Sequence, residues 1–301
     1  MILAQSLLKR CATAIQGPLE RWIQLRLTAL AYQLSHCQWP WLKNRLIVFF
    51  LSHWTPDLQS AEKSDPFAYA SFNAFFTRAL QATARPIPQT SGNVLAPADG
   101  TLTQCHLIED GQLIQAKGLT YTLKALLANE PALIQRFNTG LTSTTYLAPT
   151  DYHRVHMPLT GTLSSMTHVP GTLFSVNTDK AEICPNLFAR NERLICIFET
   201  AHGPLAVIMV GALLVASIET VWGGLIRPAG FGKIITTHYP QQQAPTLKQG
   251  ALMGWFHFGS TVITLLNAAT TPNATLTQPG PHNIQYGIPI AQLKRSPHDS
   301  K

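Results

Sequence analysis

Three short segments carry side chains that could support proton transfer or nucleophilic attack. They contribute Asp99, the pair His153 and His156, and Ser260, which follows Gly259 at the start of a β-branched run. An aspartate, a histidine and a serine can form a charge relay in which the histidine takes the hydroxyl proton, and this geometry recurs on unrelated folds. The chain has no Gly-x-Ser-x-Gly motif, which weakens the case for an ordinary serine hydrolase.

The two histidines stand three residues apart, and their residue types alone leave their role open. On a helix they would share a face, whereas on a strand they would point to opposite faces. Val155, Met157 and Pro158 favour the end of a strand. The sequence shows no third ligand at a recognisable spacing, which makes a metal site the least favoured interpretation. A structural pair, an acid/base pair and a metal site all remain open at this level.

The composition and charge of the chain predict a folded protein that is attracted to acidic surfaces. The 301 residues are only 12% charged and 46% hydrophobic, which excludes disorder, a coiled coil and a collagen-like fibre. The net charge of +7 favours an anionic membrane surface, and we expect no nucleic-acid partner. The five cysteines form no Cys-x-x-Cys pair and no zinc spacing, which indicates reduced thiols in a cytosolic protein.

The first 54 residues differ from the rest. They hold four of the six tryptophans and six basic residues against one acid, Glu20. Apolar residues at helical spacing predict two or three amphipathic helices, broken at Gly17-Pro18 and at Pro40. Tryptophan and basic residues on such helices suit a membrane interface, although the same faces could simply pack on the core. Residues 1–16 place their apolar residues before Lys9 and Arg10, so we expect no cleaved secretory signal.

Downstream, the pattern changes from helix to strand. Ser71 caps a short helix with an aromatic face, and from Val94 onward short β-branched runs alternate with turn signals. Residues 122–137 predict a helical insertion, split near Pro131. The 14-residue apolar run that begins at Leu205 is too short for a membrane helix, which needs about 20 residues, and predicts a buried strand.

We therefore expect an α+β protein in which N-terminal amphipathic helices precede a mainly β-sheet catalytic core with a helical insertion. Four regions follow from the composition. They are a membrane-associating helical region at 1–57, a connector with one helix at 58–93, the β-rich catalytic core at 94–269 and an extended tail at 270–301.

A run of segments, in order, resembles the proteobacterial-type phosphatidylserine decarboxylase family. They cover roughly residues 70–270 and are FNAFFTRAL at 72–80, ARPI at 84–87, APADG at 96–100, QAKG at 115–118, TTYLAPTDYHRVHMP at 144–158, VPGTLFSVN at 169–177, NLFARNERLICIFET at 186–200, SIETVWGG at 217–224 and FGST at 258–261. The family's cleavage motif often has Leu where this chain has Phe258. That side chain precedes the scissile bond and leaves the reacting atoms unchanged.

The resemblance implies a self-processing enzyme whose cofactor is a pyruvoyl group made from its own chain. Ser260 would attack the carbonyl of Gly259, giving a large chain (1–259) and a small chain (260–301). The two chains should stay together, because the apolar run from Thr261 to Leu266 predicts a strand central to a sheet. Asp99, His156 and Ser260 would form the relay for this cleavage. The pyruvoyl group left at position 260 would form a Schiff base with the substrate, and His153 would serve the decarboxylation. No metal is implied.

The resemblance also implies partners and a location. Phosphatidylserine would be converted to phosphatidylethanolamine and CO2 by a protein held peripherally on the cytoplasmic face of the bacterial inner membrane. A homodimer is expected only by analogy with the family. Lys117, which could suggest a Schiff-base lysine, reads better as a surface turn residue, and Glu219 and Trp222 receive no role. Two rivals remain, a serine hydrolase acting on lipid esters and a β-rich lipid-binding module without catalysis.

Overall fold

The computed structural model describes residues 18–88, 92–116, 118–212, 217–226, 232–257, 260–267, 275–278 and 280–293. The described helices are α1 (Pro18–His36), α2 (Pro40–Leu51), α3 (Phe72–Phe76), α4 (Leu123–Leu126), α5 (Pro131–Phe137), α6 (Thr178–Ile183) and α7 (Leu187–Arg190). The described strands are β1 (Asn93–Leu95), β2 (Gly100–Ile108), β3 (Gln112–Ala116), β4 (Leu119–Thr122), β5 (Gly140–Leu147), β6 (Arg154–His156), β7 (Gly161–Val169), β8 (Arg193–Thr200), β9 (Gly203–Val210), β10 (Ile218–Thr220), β11 (Gly224–Ile226), β12 (Ile235–His238), β13 (Thr246–Leu247), β14 (Leu252–Phe256), β15 (Ser260–Asn267), β16 (Thr275–Leu276), β17 (His282–Ile284) and β18 (Pro289–Gln292).

The strands form one large sheet and smaller ones around it. The large sheet has the order β12-β7-β8-β9-β15-β5-β2-β17, with β13 beside β7. A four-stranded sheet has the order β11-β10-β14-β6, and β18 lies between β1 and β16. All the strand pairs of the large sheet within the described residues are antiparallel. This confirms the expected α+β class, in which N-terminal helices precede a mainly β core.

The hydrophobic pattern accounts for the centre of the large sheet. The apolar run predicted as a buried strand forms most of β9, whose residues from Leu205 to Val210 are all fully buried. β15 lies between β9 and β5, and its residues 260–266 are buried as well. The strand that follows Ser260 is therefore central to the sheet, as its sequence predicts.

The helical insertion consists of two helices, α4 and α5, and the second begins at Pro131. Pro131 lies in the first turn of α5, where its missing N–H would have no helical partner anyway, and Glu130 precedes it in an extended conformation. Thr122 caps α4 by accepting a hydrogen bond from the backbone N–H of Ala125. The break predicted near Pro131 is confirmed.

A second hydrophobic core joins the N-terminal helices to the rest of the chain. Ile47 and Phe50 of α2 pack in it with Tyr69 and with the aromatic face of α3. Pro40 begins α2, and Ser71 caps α3 by accepting a hydrogen bond from Ala74, both as predicted. The opposite faces of α1 and α2 remain exposed, with the large apolar side chains Trp22, Ile23, Leu27, Leu30, Leu34, Trp41, Val48 and Phe49. No helix within the described ranges is long and apolar enough to cross a membrane.

Candidate active site

The site lies where the chain passes from the four-stranded sheet into the large sheet. β14 ends at Phe256, and β15 begins at Ser260. β6, which carries His156, pairs with β14, and Asp99 immediately precedes β2 of the large sheet. The crossover between the two sheets thus brings together segments that are far apart in the sequence.

Ser260 has a buried hydroxyl without a partner. Its residue partner on β5 is Leu147, and the side chain is completely inaccessible to solvent. Buried hydroxyls normally form a hydrogen bond, but none involves the Oγ atom of Ser260 within the described part of the chain. Gly259 and Phe258 lie outside the described residues. The predicted nucleophile is therefore buried and uncommitted.

His153 presents a second uncommitted atom. Its Nδ1 lies 2.9 Å from the carbonyl oxygen of Asp151, which can only accept, so Nδ1 donates and the lone pair of the neutral ring is at Nε2. Nε2 is buried and has no partner among the described residues. The ring of Phe76 lies 4.1 Å from the imidazole, centroid to centroid. Burial lowers the pKa of His153 from 6.5 to about 3, so the ring is neutral at neutral pH.

His156 is held on both nitrogens. Its Nδ1 donates to the carbonyl oxygen of Gly250 at 2.9 Å, and Nε2 accepts from the hydroxyl of Tyr152 at 3.0 Å. The ring of Tyr286 stacks on the imidazole, with 3.8 Å between centroids and 5° between planes. Burial lowers the pKa of His156 to about 4. Its Nε2 is the basic atom, and it must leave Tyr152 before it can take another proton.

Asp99 is an acceptor in a buried ion pair. Arg85 donates from Nη2 to its Oδ2 at 2.5 Å, and the backbone N–H of Tyr286 donates to Oδ1 at 2.9 Å. Gly100, which follows, has a φ of 150° and lies so close to the backbone of Tyr146 that a Cβ would overlap its carbonyl. The glycine lets β2 approach β5 directly after the carboxylate.

The three residues predicted as a relay are near one another but are not linked by hydrogen bonds. Within the described residues, no hydrogen bond joins Asp99 to His156, or joins either histidine to Ser260. Tyr286 contacts both Asp99 and His156 instead. The relay would have to assemble by exchange of these partners, and the roles of its members stay predictions.

Three residues that contact the predicted site residues were missed from the sequence. Arg85 lies in the ARPI segment that resembles the family, yet its pairing with Asp99 is not encoded in spacing. Tyr152 lies four residues before His156, a spacing that is a weak signal for a local partner. Tyr286 falls in the predicted extended tail, and it reaches Asp99 across 187 residues of sequence.

Glu219 and His257 form a pair next to the crossover. His257 Nε2 lies 3.2 Å from a carboxylate oxygen of Glu219, and Nδ1 lies 2.9 Å from the amide oxygen of Asn73. The ring of His36 on α1 lies 5.2 Å from that of His257. Glu219, which the sequence left without a role, thus fixes a residue two positions before Gly259. Trp222 packs edge-on against Phe198.

An apolar cavity opens between the N-terminal helices and the sheet. It has a volume of about 460 Å³, and its lining includes Phe50, Phe72, Phe76, Tyr146 and Val176. Phe76 is also the residue that packs on His153. The cavity therefore lies next to the site, with Phe76 between it and His153.

Two other expectations concern ligands. Within the described ranges, no three histidine, cysteine, aspartate or glutamate side chains are grouped so that they could hold a metal. Cys37, Cys105, Cys184 and Cys196 are free thiols. Lys117 lies outside the described residues.

Comparison with known proteins gives a consistent result over most of the chain. A family model described as "Phosphatidylserine decarboxylase" matches residues 72–292, and one described as "PSD" matches residues 24–54. Proteins named "Phosphatidylserine decarboxylase proenzyme" are similar to it. The one from Alkalilimnicola ehrlichii is 49% identical over 83% of this chain and 86% of its own length, and the one from Pseudomonas fluorescens is 50% identical over 88% of each. The one from Azotobacter vinelandii is 49% identical over 80% of this chain and 85% of its own length.

Proposed function

The chain belongs to the phosphatidylserine decarboxylase family, and we propose that it is a proenzyme that cleaves itself between Gly259 and Ser260 and then decarboxylates phosphatidylserine to phosphatidylethanolamine and CO2. The observation that carries the proposal is the hydroxyl of Ser260. It is buried at the start of a central strand and has no partner among the described residues, in a site with two buried neutral histidines.

Self-cleavage needs a base, and His156 is the residue we assign to it. The Ser260 hydroxyl loses its proton to Nε2 of His156 and attacks the carbonyl carbon of Gly259, so the amide C–N bond is exchanged for an ester. β-Elimination releases the carboxylate of Gly259. Hydrolysis of the resulting dehydroalanine consumes one water and releases ammonia, which leaves a pyruvoyl group at position 260. Asp99, held by Arg85, is assigned to the orientation of His156.

The residues around Ser260 fit a pyruvoyl group. No described atom hydrogen-bonds to Oγ, so loss of the hydroxyl breaks no contact, and the following strand is held on both sides by β5 and β9. The group supplies a carbonyl that accepts the electrons released when CO2 leaves. His153 is assigned to proton transfer at the carbon that loses CO2: its buried Nε2, which has a lone pair and no partner among the described residues, takes a proton from the ammonium group of the substrate and delivers it to that carbon. The small chain would stay bound through β15.

The substrate would reach the site from the membrane surface. Exposed apolar side chains lie on α1, on α2 and, with Trp39, in the connection between them. Basic residues lie among these side chains: the guanidinium of Arg26 lies over the ring of Trp22, and that of Arg45 over the ring of Trp41. We assign the protein to the cytoplasmic face of the inner membrane as a peripheral protein. The apolar cavity beside Phe76 suits the acyl portion of the lipid.

The test is to measure chain cleavage and turnover together. Wild-type protein should run as two chains on a denaturing gel and release CO2 from phosphatidylserine. Ser260→Ala should stay whole at 33.1 kDa and show no turnover. Ser164→Ala is the matched control, because this hydroxyl is satisfied by the carbonyl of Ile197 and should not affect cleavage. An intact, wild-type chain that hydrolyses lipid esters would support the hydrolase instead, and lipid binding without cleavage or turnover would support the binding module.

A further inference from the structure

Arg78 is a buried cation with two donor atoms that no described residue accepts. It follows α3, and only 2% of its surface is exposed. Nη2 donates to the carbonyl oxygen of Thr150 at 3.1 Å, but Nε and Nη1 have no partner within the described chain. No carboxylate there lies within ion-pair distance of it. A buried charge without partners destabilises the fold unless something else binds it.

Arg193 shows how this chain treats an arginine with a structural role. It is equally buried, yet each nitrogen of its guanidinium has a carbonyl acceptor. Nε donates to Leu126 at 2.7 Å and Nη2 to Ala125 at 2.8 Å, while Nη1 donates to both Ala189 and Asn191. The open donors of Arg78 are therefore not the general rule for buried arginines here.

Arg78 lies beside the candidate active site. Its acceptor Thr150 belongs to the turn that connects Leu147, the strand partner of Ser260, to His153. Phe76, two residues before Arg78, packs on His153. The positive charge of Arg78 also contributes to the lowered pKa of His153. The open N–H groups are thus close to the histidine assigned to decarboxylation.

The position of Arg78 suits a ligand whose anionic group lies between an apolar portion and the amino acid that reacts. The apolar cavity includes Phe72 and Phe76 in its lining, Phe76 also packs on His153, and Arg78 donates to the turn that leads to His153. A phospholipid has the same order, acyl chains, phosphodiester and then serine. The carboxylate is the poorer partner, because a cation fixed on it would hold the electrons that must leave it when CO2 departs.

We propose that Arg78 binds the phosphodiester of the lipid substrate with the N–H groups that no atom of the described residues accepts. The inference rests on the proposed function. Arginine is well suited to this task because it is always charged and forms strong hydrogen bonds with phosphate oxygens. The product phosphatidylethanolamine keeps the phosphodiester, so it would bind at the same place.

Binding of the product distinguishes whether Arg78 binds the phosphodiester or the carboxylate of the substrate. Dihexanoyl phosphatidylethanolamine has the first group and lacks the second, and its binding to processed enzyme can be measured by calorimetry. We expect Arg78→Gln to weaken binding roughly ten- to hundredfold and Arg78→Lys to weaken it less. KM for dihexanoyl phosphatidylserine should rise by a similar factor, with a much smaller change in kcat. Arg136→Gln, which removes a charge from an exposed ion pair, is the control and should change neither.

Three results would overturn the proposal. One is unchanged affinity for phosphatidylethanolamine in a processed Arg78→Gln enzyme whose KM for phosphatidylserine has risen, because this would assign Arg78 to the carboxylate. Another is a folded but uncleaved Arg78→Lys protein, which would assign Arg78 to maturation. Should both variants fail to fold, wild-type enzyme decides: it must bind dihexanoyl phosphatidylethanolamine at least tenfold more tightly than dihexanoylglycerol. Equal affinities would exclude the phosphate site, whereas failure of the wild type to cleave would count against the proposed function instead.

Discussion

The ring of Tyr286 lies parallel to the imidazole of His156, 3.8 Å away, while the backbone N–H of the same tyrosine donates to Asp99. Tyr286 belongs to the segment that would become the small chain after cleavage at Ser260. The small chain would therefore keep contact with two residues of the large chain's catalytic apparatus, in addition to the pairing of β15 with β5 and β9.

Removal of the Tyr286 ring should slow maturation without abolishing it. A stacked aromatic pair contributes about 0.5–1.5 kcal/mol, so Tyr286→Leu should cleave roughly three- to tenfold more slowly if the stack holds His156 in place. Tyr286→Phe keeps the ring and is the control. A time course of cleavage after translation in vitro measures both rates, and equal rates in the leucine and wild-type proteins would contradict a positioning role.

The two histidines should separate into two functions. His156→Ala removes the assigned base, so cleavage should slow by about 10²- to 10⁴-fold. His153→Ala should still cleave, at least in part, but turn over phosphatidylserine poorly. Gel analysis of cleavage and a CO2-release assay on the same samples distinguish the two steps. The opposite pattern would mean that the roles are exchanged.

The buried histidines should make stability depend on pH. The pKa of His153 is lowered to about 3 and those of His156 and His257 to about 4, mainly by burial, whereas an unfolded histidine titrates near about 6.5. Between these pH values the unfolded chain binds more protons than the folded protein. The free energy of unfolding is therefore highest above about pH 6.5 and falls as the pH decreases. Each histidine should cost up to about 2 kcal/mol between pH 7 and pH 5.

Urea unfolding of the uncleaved Ser260→Ala protein at several pH values measures this dependence. His156→Gln in the same background removes one of the three titrating groups, so the loss of stability between pH 7 and pH 5 should shrink by as much as about 2 kcal/mol. An undiminished loss would show that His156 does not titrate as a buried neutral residue.

Much of the fold was predictable because the signals are local. Pro40 and Pro131 break helices through their own backbone chemistry, Ser71 caps the helix that follows it, and the run from Leu205 is too short to cross a membrane and too apolar to face water. The partners of the site residues were not predictable from one sequence. The contacts of Asp99 with Arg85 and Tyr286 depend on how distant strands are arranged, and no periodicity encodes them.

The exposed faces of α1 and α2 should bind membranes. Trp41 and Phe49 are each more than half exposed, and burial of a large apolar side chain contributes about 1.5–3 kcal/mol, so Trp41→Ser and Phe49→Ser should each weaken binding to anionic vesicles about tenfold. Ile183→Ser is the control, since Ile183 is exposed but lies on α6. Vesicle sedimentation at low salt and at about 0.5 M salt separates the apolar contribution to binding from the electrostatic one, because exposed charges are largely screened at the higher salt concentration. Equal losses in all three variants would place the contact elsewhere.

The intact mass of the small chain shows whether Ser260 becomes a pyruvoyl group. We expect a chain of residues 260–301 that is lighter by one ammonia than the same peptide with an N-terminal serine. This chain should also resist Edman degradation, because it has no free amine. A small chain that begins with ordinary serine, or a chain that stays whole under conditions of full turnover, would show that no pyruvoyl group forms at position 260.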